Sequence, residues 1–197
     1  MQAARGASLT GDQEVDPPAR PRASRARLLT VFGLVAATAY AVDVVSKVLA
    51  VDRLTDSADV EVVGDFLVLH LVRNSGAAFS TGTGFTEVFS VLATVAVVAI
   101  LWFVRKVGSV VWAVALGFLL AGVAGNLTDR LLREPGPLRG HVIDFFMLPN
   151  WPVFNVADIC INIAAGLILV QVFRGVHLDG RRETKDPAAD PSEEPAE

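Results

Sequence analysis

The sequence predicts a membrane all-α fold of four transmembrane helices with a small β-structured segment outside them. Three observations carry that expectation. The 197 residues are 52% hydrophobic, with a mean hydropathy of +0.49. The apolar residues are blocked into long runs, which suits a bilayer as solvent rather than the spaced core of a soluble domain. The charged residues crowd toward the two ends, so the net charge of −4 carries little information by itself.

A spanning helix needs roughly 20 mostly apolar residues. Four stretches qualify, at 28–51, 85–104, 107–127 and 153–173. Between the first two, residues 58–80 read differently. The part from 60 to 73 is dense in Val, Leu and Phe and is interrupted by Gly64 and Asp65, a pattern of short strands about a turn. The connection between the third and fourth spans is broken by Pro135, Gly136, Pro137, Gly140 and Pro149. Residues 1–27 and 174–197 lack apolar periodicity and are rich in Ala, Pro and charge, so both are expected to be disordered tails. The folded membrane unit is therefore expected at 28–173. No internal repeat is visible.

Orientation follows from Lys and Arg placement. Arg20, Arg22, Arg25 and Arg27 precede the first span, Arg105 and Lys106 fill the turn between the second and third, and Arg174, Arg181, Arg182 and Lys185 follow the fourth. An even number of spans puts these groups on one side, the cytoplasm, with both termini there. Arg130, Arg133 and Arg139 run against the bias. Ala39, Tyr40 and Ala41 resemble a signal-peptide cleavage site, but the apolar run resumes from Val44 to Val51, too long for a cleaved leader. The lone Cys160 excludes an internal disulfide and a Cys-based zinc site, and reads as a buried thiol.

That topology collects the polar residues of the spans at one membrane face. Asp43 falls near the outer end of the first span, Asn126 and Asp129 at the outer end of the third, Asn155 and Asp158 in the first turns of the fourth, and Asp144 in the outer connection. A charged residue at the bilayer centre costs about 2.5–3.5 kcal/mol on insertion scales, so several acids at one depth need a reason. Asn126 and Asp129 are spaced i, i+3, and Asn155, Asp158 and Asn162 are spaced i, i+3, i+7, which gives each set one helix face. Hydrogen-bonded helix packing explains the Asn residues, but less readily the acids. A proton relay needs acids through the membrane thickness, and the span middles are apolar. His70, His141 and His177 form no zinc-binding helical pair, and Ser46, Ser80 and Ser90 lack a nucleophile-elbow context. Two carboxyls sharing one proton can activate water and protonate a carbonyl, the chemistry of an aspartyl protease.

The same residues carry a family resemblance. DVVSK at 43–47, NSGAAFS at 74–80, GNLTDR at 125–130, HVIDF at 141–145 and FNVAD at 154–158 resemble, in order and spacing, the bacterial lipoprotein signal peptidases (signal peptidase II). The resemblance covers 28–173. It implies four helices with an extracytoplasmic β-cradle and a loop helix. It also implies an aspartic endopeptidase that removes signal peptides from diacylglyceryl-modified prolipoproteins, cutting before the lipidated Cys. The dyad then falls on Asp144 and Asp158. Asn74, Asn126, Asp129, Arg130 and Asn155 map to residues that line or support the site and contact substrate or the inhibitor globomycin, and Asp43 to a polar position nearby. Thr128 departs from the commoner aliphatic residue, at a position expected on the lipid or packing face.

Between the acids, Asp129 precedes Arg130 and is expected to be ion-paired with it, whereas Val142, Ile143, Phe145 and Phe146 give Asp144 an apolar setting that raises its pKa. Asp144 with Asp158 is therefore the favoured pair, with Asp129 and Asp158 as the alternative. No metal or organic cofactor and no nucleic-acid partner is expected, and the chain is expected to work as a monomer among membrane lipids. The competing class is a non-enzymatic polytopic scaffold or lipid-binding protein.

Overall fold

The computed structural model describes residues 24–76 and 85–183. Four long helices dominate: α1 (Arg25–Leu54), α2 (Thr86–Phe103), α3 (Val110–Leu132) and α4 (Val156–Phe173). All four are long and apolar enough to cross a membrane. The outer boundaries differ from the hydropathy reading where polar residues continue a helix. α3 extends to Leu132, so Asp129 and Arg130 ride on its last turns.

Helix starts follow from local chemistry. The Ser24 hydroxyl accepts from Arg27 N–H, and the Ser109 hydroxyl accepts from Trp112 N–H, satisfying first-turn donors that no helix can pair internally. α4 opens with a reciprocal capping box. Asn155 Oδ1 accepts from Asp158 N–H at 3.0 Å, and Asp158 Oδ2 accepts from Asn155 N–H at 3.1 Å.

α3 is the central helix, packed on α1, α2 and α4. Small residues permit this approach. A Cβ on Gly122 would meet Ala157 O at 2.5 Å, and one on Gly125 would meet Asp43 Oδ2 at 2.3 Å. Outward-facing residues stay apolar, as Val91, Leu92, Val95 and Val98 of α2 show, which fits lipid contact. Thr128 lies on the packing side, where its hydroxyl shares a 2.9 Å hydrogen bond with Tyr40 of α1.

At one end of the bundle stands an antiparallel sheet ordered β1 (Val60–Val63), β2 (Leu67–Asn74) and β3 (Val142–Met147). The first two strands match the expected β-segment. The third corrects the sequence reading, because Asp144 sits on a strand rather than in a loop. The connection 133–155 contains no helix, and residues 77–84 lie outside the described residues. Ile143 and Phe145 of β3 pack with Ala50 and Leu54 of α1, which fixes the sheet to the bundle.

The other end is closed by Leu28, Phe32, Ile100, Val104, Val107 and Leu116, with Leu178 against them. Residues 174–183, expected as tail, fold back here. Gly108 N–H donates to Leu178 O at 2.9 Å, the Trp112 indole donates to Val176 O at 3.1 Å, and Val176 bridges Arg182. Alternating polarity hid this segment from a composition-based reading. Tail residues 1–23 and 184–197 lie outside the described residues. Arg25, Arg27, Arg105, Lys106, Arg174, Arg181 and Arg182 collect at this end.

Candidate active site

Two pieces of backbone bring the polar residues of the sheet end together. β2 pairs with β3 so that Val72 faces Asp144 and Asn74 faces Val142. After β3 the chain turns at Leu148–Trp151, where Trp151 N–H donates to Leu148 O at 3.2 Å. Pro149 precedes Asn150 there, and Asn150 takes φ +58°, a turn pattern that suits Pro followed by a left-handed Asn. Phe154 then pairs back onto Phe146 in both directions, at 2.8 and 3.0 Å. Pro149 and Pro152 thus bound a closed hairpin that delivers Asn155 and α4 beside Asp144.

The acids divide into two groups. Asp43 and Asp129 are sealed inside, 0% and 3% exposed, with Lys47 at 1% between them. Lys47 Nζ lies 2.9 Å from Asp43 Oδ2 and 2.9 Å from Asp129 Oδ2. Asp43 Oδ1 accepts from Ala157 N–H at 2.8 Å, and Asp129 Oδ2 accepts from Ile143 N–H at 3.2 Å. Asp129 also pairs with Arg133, one helical turn on. The expected Asp129–Arg130 pair is not formed. Adjacent residues on a helix diverge by about 100°, so Asp129 finds its i+4 partner instead. Arg130 turns the other way, donating to Gly76 O at 3.0 Å and to Asn126 O at 3.4 Å.

Asp144 and Asp158 face a cavity of about 810 Å³ lined by Asn74, Asn126, Arg130, Trp151, Phe154 and Asn162 among others. Asp43 and Asp129 do not line it. Every carboxyl oxygen of the two lining acids has a donor. Asn74 Nδ2 donates to Asp144 Oδ2 at 2.9 Å and Asn155 Nδ2 to Asp144 Oδ1 at 2.6 Å. Asn126 Nδ2 donates to Asp158 Oδ1 at 3.0 Å, while Asp158 Oδ2 takes the cap hydrogen bond from Asn155. Asn74 is itself oriented by Gly76 N–H, which donates to its Oδ1 at 2.9 Å. Asp144 is buried, whereas Asp158 is half-exposed toward the cavity. Burial among apolar neighbours, with the Asp158 charge added, pushes Asp144 up to about 6 despite the opposing amide donors.

The aromatic residues separate as well. Phe145 is core, Phe146 stacks between Phe145 and Phe154, and Trp151 stands exposed on the cavity rim. Within NSGAAFS, Asn74 and Gly76 contact the site, and residues 77–80 lie outside the described residues.

Lys47 is the residue that sequence reasoning passed over. The DVVSK segment held the signal: an Asp and a Lys at i, i+4 inside an apolar span are too costly to bury except together.

With this geometry, the sequence pattern of the Signal peptidase (SPase) II family matches residues 35–174. The chain belongs to the signal peptidase II family. It is 46% identical over 185 residues to the lipoprotein signal peptidase of Mycolicibacterium smegmatis, covering 91% of this chain and 77% of that protein. It is 49% identical over 166 residues to the lipoprotein signal peptidase of Mycobacterium avium, covering 83% and 91%. The corresponding enzyme of Leifsonia xyli subsp. xyli is 42% identical over 180 residues, covering 91% and 83%. A solved structure described as a bacterial membrane enzyme superimposes with a TM-score of 0.66 at 26% identity, covering 79% of this chain and 95% of that one. As a member of that family, the chain is a multi-pass membrane enzyme, an aspartic peptidase that cleaves prolipoprotein signal peptides. The family match ends at residue 174, so the folded segment 175–183 lies beyond it.

Proposed function

We propose that Asp144 and Asp158 are the catalytic dyad of this peptidase, within a membrane peptidase domain at 28–173. The observation that carries this reading is that these two carboxyls line one cavity with a donor on every oxygen, while the other buried acids are engaged with Lys47 and Arg133. The alternative pair of Asp129 with Asp158 is disfavoured because Asp129 does not line the cavity.

In the proposed mechanism Asp144 carries the shared proton, in keeping with its raised pKa. Asp158 takes a proton from water as the water oxygen attacks the scissile carbonyl, and Asp144 gives its proton to the carbonyl oxygen. The tetrahedral diol then collapses. The C–N bond breaks, the leaving nitrogen takes the proton from Asp158, and a hydroxyl proton returns to Asp144. Asn74, Asn126 and Asn155 hold the carboxyls at fixed angles, and Arg130 on the wall supplies a cation for substrate carbonyls. Asp43 and Asp129 support the site from below rather than touching substrate.

The substrate is a prolipoprotein bearing a diacylglyceryl-modified Cys, cut on the signal-peptide side of that residue. The apolar wall of Val153, Ile159 and Ile163 beside Asp158 suits a lipidated, helical substrate entering from the bilayer. The basic end of the bundle faces the cytoplasm with both termini, which puts the cavity on the extracytoplasmic side. The three arginines that oppose this bias are engaged within the outer end, Arg130 with Gly76, Arg133 with Asp129 and Arg139 with Glu87. The enzyme acts as a monomer and is sensitive to globomycin. Purified enzyme given a diacylated prolipoprotein tests the reading. Asp144→Asn and Asp158→Asn should each lower cleavage by about 10³-fold, and normal processing by either variant removes that residue from the dyad.

A further inference from the structure

We infer that Lys47 is a positioning residue for cleavage, holding Asn126 so that its amide nitrogen stays aimed at Asp158. This rests on the dyad proposed above and adds a third layer to it.

An ammonium group has three donors and no acceptor. Lys47 Nζ has three oxygens at 2.9 Å: it is ion-paired with Asp43 Oδ2 and Asp129 Oδ2 and donates a hydrogen bond to Asn126 Oδ1. Charge balance accounts for the first two, because Lys47 and Arg133 together offset Asp43 and Asp129. It does not account for the third, which is a neutral amide.

That third contact has a directional consequence. The two ends of an Asn amide have nearly the same shape but opposite polarity. An ammonium can face only the oxygen, so the nitrogen is turned away from Lys47 and onto Asp158 Oδ1, 3.0 Å off. A reversed amide would set NH₂ against NH₃⁺ on one side and oxygen against carboxylate on the other. Asn155 Nδ2 also donates to Asn126 Oδ1 at 3.1 Å, but the same group serves Asp144 at 2.6 Å. Lys47 is therefore the one full charge on Asn126 Oδ1 among the described residues.

The test separates positioning from charge neutralisation. Asp43→Asn/Lys47→Met removes one charge of each sign and the donor, whereas Asp43→Asn/Lys47→Gln removes the same charges and keeps an amide donor. Asp43→Asn is the reference, and each purified full-length variant is assayed on a diacylated prolipoprotein. We expect kcat of the Met variant to fall about tenfold or more below the reference with KM within about threefold, and the Gln variant to recover part of it. A folded Met variant with the reference kcat, or a loss confined to KM, overturns the inference.

Should either double variant fail to fold, the unaltered enzyme gives a separate reading. With asparagine side chains labelled with ¹⁵N, slow exchange of the Asn126 Nδ2 protons supports a fixed amide, and exchange at the rate of exposed asparagines overturns it. Activity in Asp144→Asn or Asp158→Asn would remove the dyad itself, an outcome distinct from any result at Lys47.

Discussion

Two clusters of acids share the sheet end of this bundle and are built on opposite principles. Around Lys47, two carboxylates are buried with cations in reach. Around the cavity, Asp144 and Asp158 are held only by amide and backbone N–H donors, with no cation within ion-pairing distance among the described residues. A neutralised, sealed acid is a structural element, whereas an acid held by neutral donors beside a cavity keeps a proton free to move. Asn126 joins the two, accepting from Lys47 and donating to Asp158.

The largest expected contrast is in activity. Asp144→Asn and Asp158→Asn should each lower the cleavage rate by about 10³-fold, within the range for losing one general acid or base. Their thermal unfolding in detergent, measured below the raised Asp144 pKa of about 6, should stay close to the parent. Lys47→Met should behave oppositely in kind, destabilising by about 3–5 kcal/mol because it leaves the buried Asp43 carboxylate without a cation, while Asp129 keeps Arg133. A Lys47→Met protein that unfolds at the parent temperature would erase the distinction between the clusters.

The pH dependence sharpens it further. Asp144 is raised from 3.8 to about 6, so if it is the proton donor of the proposed dyad, kcat/KM of the free enzyme should fall as pH rises past about 6. The sign for stability is the same. The Asp144 contribution is fully present below its unfolded pKa and is lost as pH rises through about 6. Asp144→Asn should therefore gain stability relative to the parent at pH 8, by about 2–3 kcal/mol as an upper figure at 1.36 kcal/mol per unit. Chemical denaturation at pH 4 and pH 8 measures it, and a gain equal at both pH values contradicts the assignment.

The smallest effect lies at the opposite end of the bundle. Trp112→Phe removes the indole donor to Val176 O and should cost about 1 kcal/mol without changing kcat. A change in kcat there would show that the far end communicates with the cavity.

Much of this was legible in the sequence because lipid imposes strict rules. Spans must be long and apolar, so four helices followed from hydropathy, and polar residues within them stood out against that background. The sheet was legible only in part: Val142–Met147 has strand-forming residues, but the run is short, lies in a connection broken by Pro and Gly, and pairs with β2 across some seventy residues. The fold-back of 174–183 left little trace, because its hold on the bundle comes from backbone hydrogen bonds to Gly108 and Trp112.

Sequence by itself determined the four spans, the gathering of acids at one face and the family motifs that set Asp144 and Asp158 apart. Only the tertiary structure decided which acids are neutralised. Ion pairing depends on where side chains converge in space, and the meeting of Lys47 of α1 with Asp129 of α3 is not written in residue order.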